Sequence, residues 1–200
     1  MTLQDAVDSL YRIAVTEGKA TSTRRLDGLA RFCVAELASR GLRDAVTEAK
    51  LPGGGREKSW DVAWRMDDKP RLAISLKSLL KNLGGTVPNR VDDLMGEVTN
   101  VQMYSPEIVT GYIMLFNVAE DSHSPLHEST WSELLKSRIT RLSGRRPPSW
   151  SIGMIEASLF LEVDFSEGPR LVSGAADAGP FFDRVVAAVR DRNPVLERAP

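Results

Sequence analysis

Two residues on neighbouring alternating segments carry the first chemical suggestion in this sequence. Asp61 lies in Ser59 to Met66, where Trp60, Val62 and Trp64 alternate with Asp61, Ala63 and Arg65. Lys77 lies in a segment where Leu72, Ile74 and Leu76 alternate with Ala73, Ser75 and Lys77. Alternate residues of a strand share a face, so pairing of the two segments would bring Asp61 and Lys77 to a common patch. A carboxylate there suits a hard cation such as magnesium. A nearby ammonium can orient or activate a water and offset charge developing on a phosphate. The chemistry expected of the pair is metal-dependent hydrolysis of a phosphodiester.

The elements that must position this pair can be read from periodicity. Leu3, Ala6, Val7, Leu10, Ile13 and Ala14 form one helical face between Leu3 and Val15. A second helix opens near Thr21 to Thr23, is striped by Leu26, Ala30, Cys33 and Leu37, and ends at Gly41. Ala45 to Leu51, a Gly53-Gly54-Gly55 turn and Ser59 to Met66 read as a hairpin, and a turn over Asp67 to Pro70 leads into the third strand. Lys81 to Pro88, with Gly84-Gly85, reads as a mobile loop before a helix from Asn89 to Met103. Ile108 to Val118 is a strand apolar enough for cover on both faces. A helix over Glu128 to Leu142 follows, stopped by Arg145-Arg146-Pro147-Pro148. A strand pair, Ser158 to Phe165 and Pro169 to Val172, precedes a helix over Phe181 to Arg190. With no internal repeat or low-complexity linker, the order predicts one α/β domain over residues 1–200.

Composition narrows the setting. The 200 residues include 26 Lys plus Arg against 27 Asp plus Glu, a formal charge of −1, and 42% are hydrophobic, which fits one soluble domain. The near-zero balance argues against a generally basic nucleic-acid coat but permits a local patch. Cys33 is the single cysteine, so neither a disulfide scaffold nor a four-thiolate zinc site is available, and a cytoplasmic location is expected. The first twenty residues carry Asp5, Asp8 and Glu17, unlike a signal peptide. The longest strongly apolar run, Tyr112 to Phe116, is far too short to span a membrane, so no membrane partner is expected.

The run Trp60-Asp61-Val62-Ala63-Trp64, then Leu72-Ala73-Ile74-Ser75-Leu76-Lys77-Ser78, then Asn89-Arg90 with Asp92-Asp93 and Gly96, resembles the PD-(D/E)XK nuclease superfamily, and within it the type II restriction endonucleases. The similarity covers residues 25 to 120 or so, within a nuclease-like core over about 22–165. It implies a restriction-endonuclease-like α/β fold, with a central mixed sheet flanked by helices. It also implies a site using magnesium or manganese, and a DNA substrate cut in restriction or phage defence. Carried over by position, Asp61 is the metal-binding aspartate, Lys77 the catalytic lysine, and the Leu76 carbonyl faces the metal. One position departs: Ser75 stands where the family places an acid two residues before the lysine. Glu36, Glu97 and Glu48 are the candidate replacements, in that order for the first two. Glu36 matches a first-helix glutamate of many members, and an acid from a following helix, as Glu97 would be, is a known variation. Two readings stand beside the endonuclease: a catalytically impaired nuclease-like subunit that binds DNA or scaffolds a defence complex, favoured by Ser75, and an RNA nuclease on the same fold. Cutting both strands of a duplex calls for two sites, so a homodimer is the natural expectation.

Other residues fit the same chemistry less specifically. Arg138, Arg141 and Arg145 fall at helical spacing, with Lys136 and Arg146 nearby and no acid between, and could contact backbone phosphates. The opposing reading is a solvated helix face suited to the C-terminal dipole. Lys81, Asn82, Asn89 and Arg90 could follow DNA into the site, with Arg24 and Arg25 as weaker candidates, although turn chemistry explains the former equally well. His123 and His127 lack a third ligand and read as surface. Gly53 to Gly55 reads as a hairpin turn, Cys33 as core, and Trp150 as exposed enough to meet a partner.

Overall fold

A computed structural model describes residues 1–197. Its helices are α1 (Leu3–Tyr11), α2 (Asp27–Ser39), α3 (Leu83–Tyr104), α4 (Trp131–Arg141) and α5 (Ala175–Arg192). Its strands are β1 (Val46–Leu51), β2 (Lys58–Met66), β3 (Lys69–Leu79), β4 (Val109–Asn117), β5 (Ala157–Asp164) and β6 (Arg170–Ser173). They form one mixed sheet in the order β1-β2-β3-β4-β5-β6. The meander β1-β2-β3 is antiparallel, β3, β4 and β5 are parallel, and β6 closes the edge antiparallel. The crossovers between parallel strands are α3 and α4, as parallel pairing requires.

Local chemistry starts these elements where they start. Thr2 caps α1 and Thr130 caps α4, each in a reciprocal box with the acid three residues on, Asp5 or Glu133. Asp67 and Asp68 both take positive φ, as the tight two-residue turn between β2 and β3 demands. Every residue of β4 is buried, because helices cover both faces of the sheet's middle. One core layer joins α1, α2 and α5 to Val62, Trp64, Leu72, Ile74 and Leu76. The other joins α3 and α4 to Trp60, Ala63, Ala73, Leu79, Tyr112 and Met114.

Two departures from the sequence reading matter for the site. Residues 83–88 are helical, so the expected loop is the opening of α3. Leu83 and Val87 are buried and extend the stripe of Val91, Leu94, Val98 and Val101 backwards. That period outweighs Gly84, Gly85 and Pro88. Gly84 is also a packing requirement, because a Cβ there would lie 2.8 Å from the Trp131 ring. Second, β2 does not keep one face throughout. Trp60 packs under α3 whereas Val62, two residues on, packs in the α2 layer. The strand therefore turns over at Asp61. Opposite it in β1, Glu48 has a φ of +53°, and the regular pairing skips Glu48 and Asp61.

Candidate active site

The turnover at Asp61 coincides with an opening in the sheet. Registered pairs between β2 and β3 end at Val62 and Ile74, although β2 begins at Lys58 and β3 runs on to Leu79. The two strands part beyond that point. In the gap, the Leu76 N–H donates to Asp61 Oδ2 at 2.7 Å, a side chain standing in for a ladder acceptor. In an extended strand a residue's N–H and C=O face the same edge, so the Leu76 carbonyl is turned to this gap as well.

The odd residues of β3 face α3, and there they meet Glu97. The Ser75 hydroxyl donates to Glu97 Oε2 at 3.0 Å, and Lys77 Nζ approaches Oε1 at 3.1 Å. Lys58, from the start of β2, reaches the same Oε1 at 2.7 Å. Glu97 is only 9% exposed, so burial opposes its ionisation. The pull of Lys77 and Lys58 outweighs that and holds the carboxyl below its usual range. Asp61 goes the other way. Burial pushes its carboxyl up, opposed by the Leu76 N–H and the Lys77 charge and reinforced by the charge of Glu97. The two acids thus share one electrostatic neighbourhood, with Lys77 acting on both.

Lys77 makes its ion pair with Glu97; the expected direct meeting with Asp61 is replaced by an interaction through the field. Of the candidate replacements for the missing acid, Glu97 touches Ser75. Glu36 instead is held by Arg40 at 2.7 Å, and Arg40 in turn ties α2 to Asp183 of α5. The α2 residues that line a cavity of about 320 Å³ with Asp61 are Asp27, Ala30 and Arg31, and Glu48 joins them from β1. Glu97 opens on the other side, onto a groove of about 470 Å³ that also includes Lys58, Arg56 and Gly96.

The basic candidates separate sharply. Arg145 lies beyond the end of α4 and is 5% exposed. It donates to the carbonyls of Pro106, Ile108 and Ser151 and pairs with Glu156, so the expected row of three arginines on one helix face does not exist. Arg138 and Arg141 do lie on α4, and Lys136 pairs with Glu162. Lys81 and Asn89 are exposed at the opening of α3, and Arg90 pairs with Asp93 at 3.0 Å. Arg25 gains in interest. Its Nε donates to Ser78 at 2.9 Å on the far end of β3, and burial and the charge of Arg90 hold its pKa below the ordinary arginine value. The Tyr112 hydroxyl and Arg90 Nε are buried without a hydrogen-bond partner, and Tyr112 lies in the field of Glu97 and Asp61. His123 and His127 are exposed and Cys33 is buried, as expected.

The donor set fits a hard divalent cation in kind. Asp61 and Glu97, each lining its own cavity, supply carboxylates and Leu76 a backbone carbonyl, and magnesium commonly takes one or two carboxylates and keeps several waters. Among the described residues no group of three His, Cys, Asp or Glu side chains is gathered to hold a metal. No helix among them is long and apolar enough to cross a membrane. Set against family models, curated proteins and solved structures, the chain matches none. The class defined by the fold is therefore an α/β domain with a six-stranded mixed sheet flanked by helices, in which β2 and β3 part beyond Val62 and Ile74.

Proposed function

We propose that this chain is a metal-dependent nuclease of the PD-(D/E)XK type, with a restriction-endonuclease-like core, acting on DNA in restriction or phage defence. The observation that carries the reading is the contact of Glu97 with Ser75: α3 delivers a carboxylate to the position where β3 lacks one. Asp61 stands across the gap, and Lys77 belongs to the same cluster.

Magnesium or manganese held by Asp61, Glu97 and the Leu76 carbonyl would neutralise phosphate charge and acidify the attacking water. The chain's own residues prepare for this. Lys58 and Lys77 keep Glu97 ionised. Each ammonium spends a bond on Glu97 and has further N–H donors to offer. Lys77 can therefore meet an incoming water or phosphate oxygen without leaving the carboxylate. Arg25 adds positive charge near the gap, which favours a polyanion.

The test is cleavage of duplex DNA, single-stranded DNA and RNA in magnesium or manganese by the wild type, Asp61→Ala and Lys77→Ala. Cleavage by the wild type and its loss in both variants is expected; equal cleavage by all three removes these residues from the mechanism. Preferential digestion of RNA would move the substrate assignment to an RNA nuclease. A second reading, a nuclease-like scaffold subunit of a defence complex that does not hydrolyse, is favoured by the two lysines already neutralising Glu97. It predicts no cleavage and no magnesium binding sensitive to Asp61. Cutting both strands from one site per chain is expected to need a homodimer, which sedimentation on DNA would reveal. The cytoplasm is the compartment such a role implies.

A further inference from the structure

The Gly53-Gly54-Gly55 segment does more than join β1 to β2. It lies against α3, where Asn100 fastens it. The Gly54 N–H donates to the Asn100 carbonyl at 2.7 Å, the Gly55 and Arg56 N–H groups to Asn100 Oδ1 at 2.9 and 3.3 Å, and Asn100 Nδ2 to the Arg56 carbonyl at 2.9 Å. Two of the glycines are dictated by this docking: a Cβ on Gly53 would sit 2.0 Å from Asn100, and one on Gly54 2.7 Å from Met103. Gly96 is different. It lies inside α3, on the groove beside Glu97, and a Cβ there would meet nothing within 4 Å. A glycine inside a helix is less stable than alanine. No contact among the described residues explains its presence.

Arg56 supplies the complementary observation. Its backbone is clamped at both ends by Asn100, yet its exposed guanidinium has no acid partner among the described residues. Lys58 follows two residues later, roughly 6.6 Å along extended chain, and leads to Glu97. A positioned free cation, an ion-paired lysine and a bare stretch of helix backbone thus line one path to the acid. On the groove's other lip, Asp93 is neutralised by Arg90, and Asp92 is exposed one turn before Gly96.

We propose that this groove carries the sugar–phosphate backbone of the nucleic-acid strand entering the site, with Arg56 on a phosphate flanking the reacting one and the strand lying directly on α3 at Gly96. The inference rests on the nuclease reading and adds a binding subsite to it. Asp92 repels the strand and confines it to the Arg56 side.

The test is fluorescence anisotropy of a fluorescein-labelled DNA duplex and its single strand, in calcium, against a salt series, with thermal melting of each variant. Gly96→Ala should melt about 2–4 °C higher, as a helix gain of this kind gives in a chain of this size, yet bind DNA about tenfold more weakly. Arg56→Ala should weaken binding and lower the salt slope by about one, and Asp92→Asn should tighten it. If the wild type binds and cuts DNA while Gly96→Ala and Arg56→Ala bind as well as it does, the subsite is wrong and the nuclease reading stands. If the wild type neither binds nor cuts any nucleic acid, both fall.

Discussion

Two clusters in this protein have the same charge arithmetic, one glutamate between two cations, and opposite construction. At the entry to β4 and β5, Glu156 pairs with Arg145 at 3.3 Å and Arg192 at 2.5 Å, and accepts from the Thr110 N–H at 2.6 Å and the Thr110 hydroxyl at 3.0 Å. The arginine forks are filled by backbone carbonyls, among them Pro106, Ile108 and Glu107, and both ends of the Arg145–Glu156 pair are sealed from solvent. Around Glu97 the cations are lysines, 31% and 23% exposed, with donors to spare, beside a parted sheet. The first cluster pins loops and α5 to the sheet. The second leaves both of its cations partly exposed to solvent.

That contrast predicts opposite consequences of mutation. The largest effects should fall on chemistry: Asp61→Asn or Lys77→Ala should cut cleavage about 10²–10⁴-fold while leaving circular dichroism spectra unchanged. Glu156→Ala should instead cost about 3–5 kcal/mol in urea unfolding, because it strands two buried guanidinium groups, with cleavage per folded molecule near that of the wild type. Glu97→Gln should lose activity on the scale of Lys77→Ala but cost no more than about 2 kcal/mol, since its lysines can turn to water. Equal destabilisation by the two glutamate substitutions would erase the distinction between the clusters.

Much of the frame was legible because it is written in period and punctuation: the helical stripe of α1, the turns around β2, and the unbroken apolar run of β4 buried on both faces. Asp61, Lys77 and Glu97 were also legible as candidates. That Glu97 rather than Glu36 meets Ser75 was not, because it depends on how far α3 extends and how it lies on β3. Reading Gly84, Gly85 and Pro88 as loop hid the first turns of that helix. The turnover at Asp61 was illegible for a related reason. Trp60, Val62 and Trp64 alternate perfectly in sequence, and a left-handed Glu48 on the partner strand breaks the pattern in space. Arg145 was misplaced because helical spacing was continued past the end of α4.

Smaller effects sharpen the comparison through pH. The Glu97 carboxyl is lowered from the ordinary 4.5, so its contribution to stability is fully present above that value and lost as pH falls through the lowered one. The Asp61 carboxyl is raised from 3.8, so its ionisation weakens the fold as pH rises from there through the raised value. Urea midpoints should therefore show Glu97→Gln closing on the wild type in acid, and Asp61→Asn gaining on it toward neutrality. A stabilised Asp61→Asn that no longer cuts would mark a residue kept at the expense of the fold. The smallest expected change is Glu48→Gly, which relieves a left-handed residue and should stabilise by about 1 kcal/mol or less, read as a rise in melting temperature.

If Asp61 and Glu97 act together on one divalent ion, loss of either should weaken its binding. Calorimetric titration of the folded protein with manganese tests it most directly, using wild type, Asp61→Asn, Glu97→Gln and Glu36→Gln. Saturable binding is expected of the wild type and of Glu36→Gln, with affinity at least about tenfold lower in each of the other two. Binding that is absent from the wild type, or unchanged by loss of either Asp61 or Glu97, would contradict it.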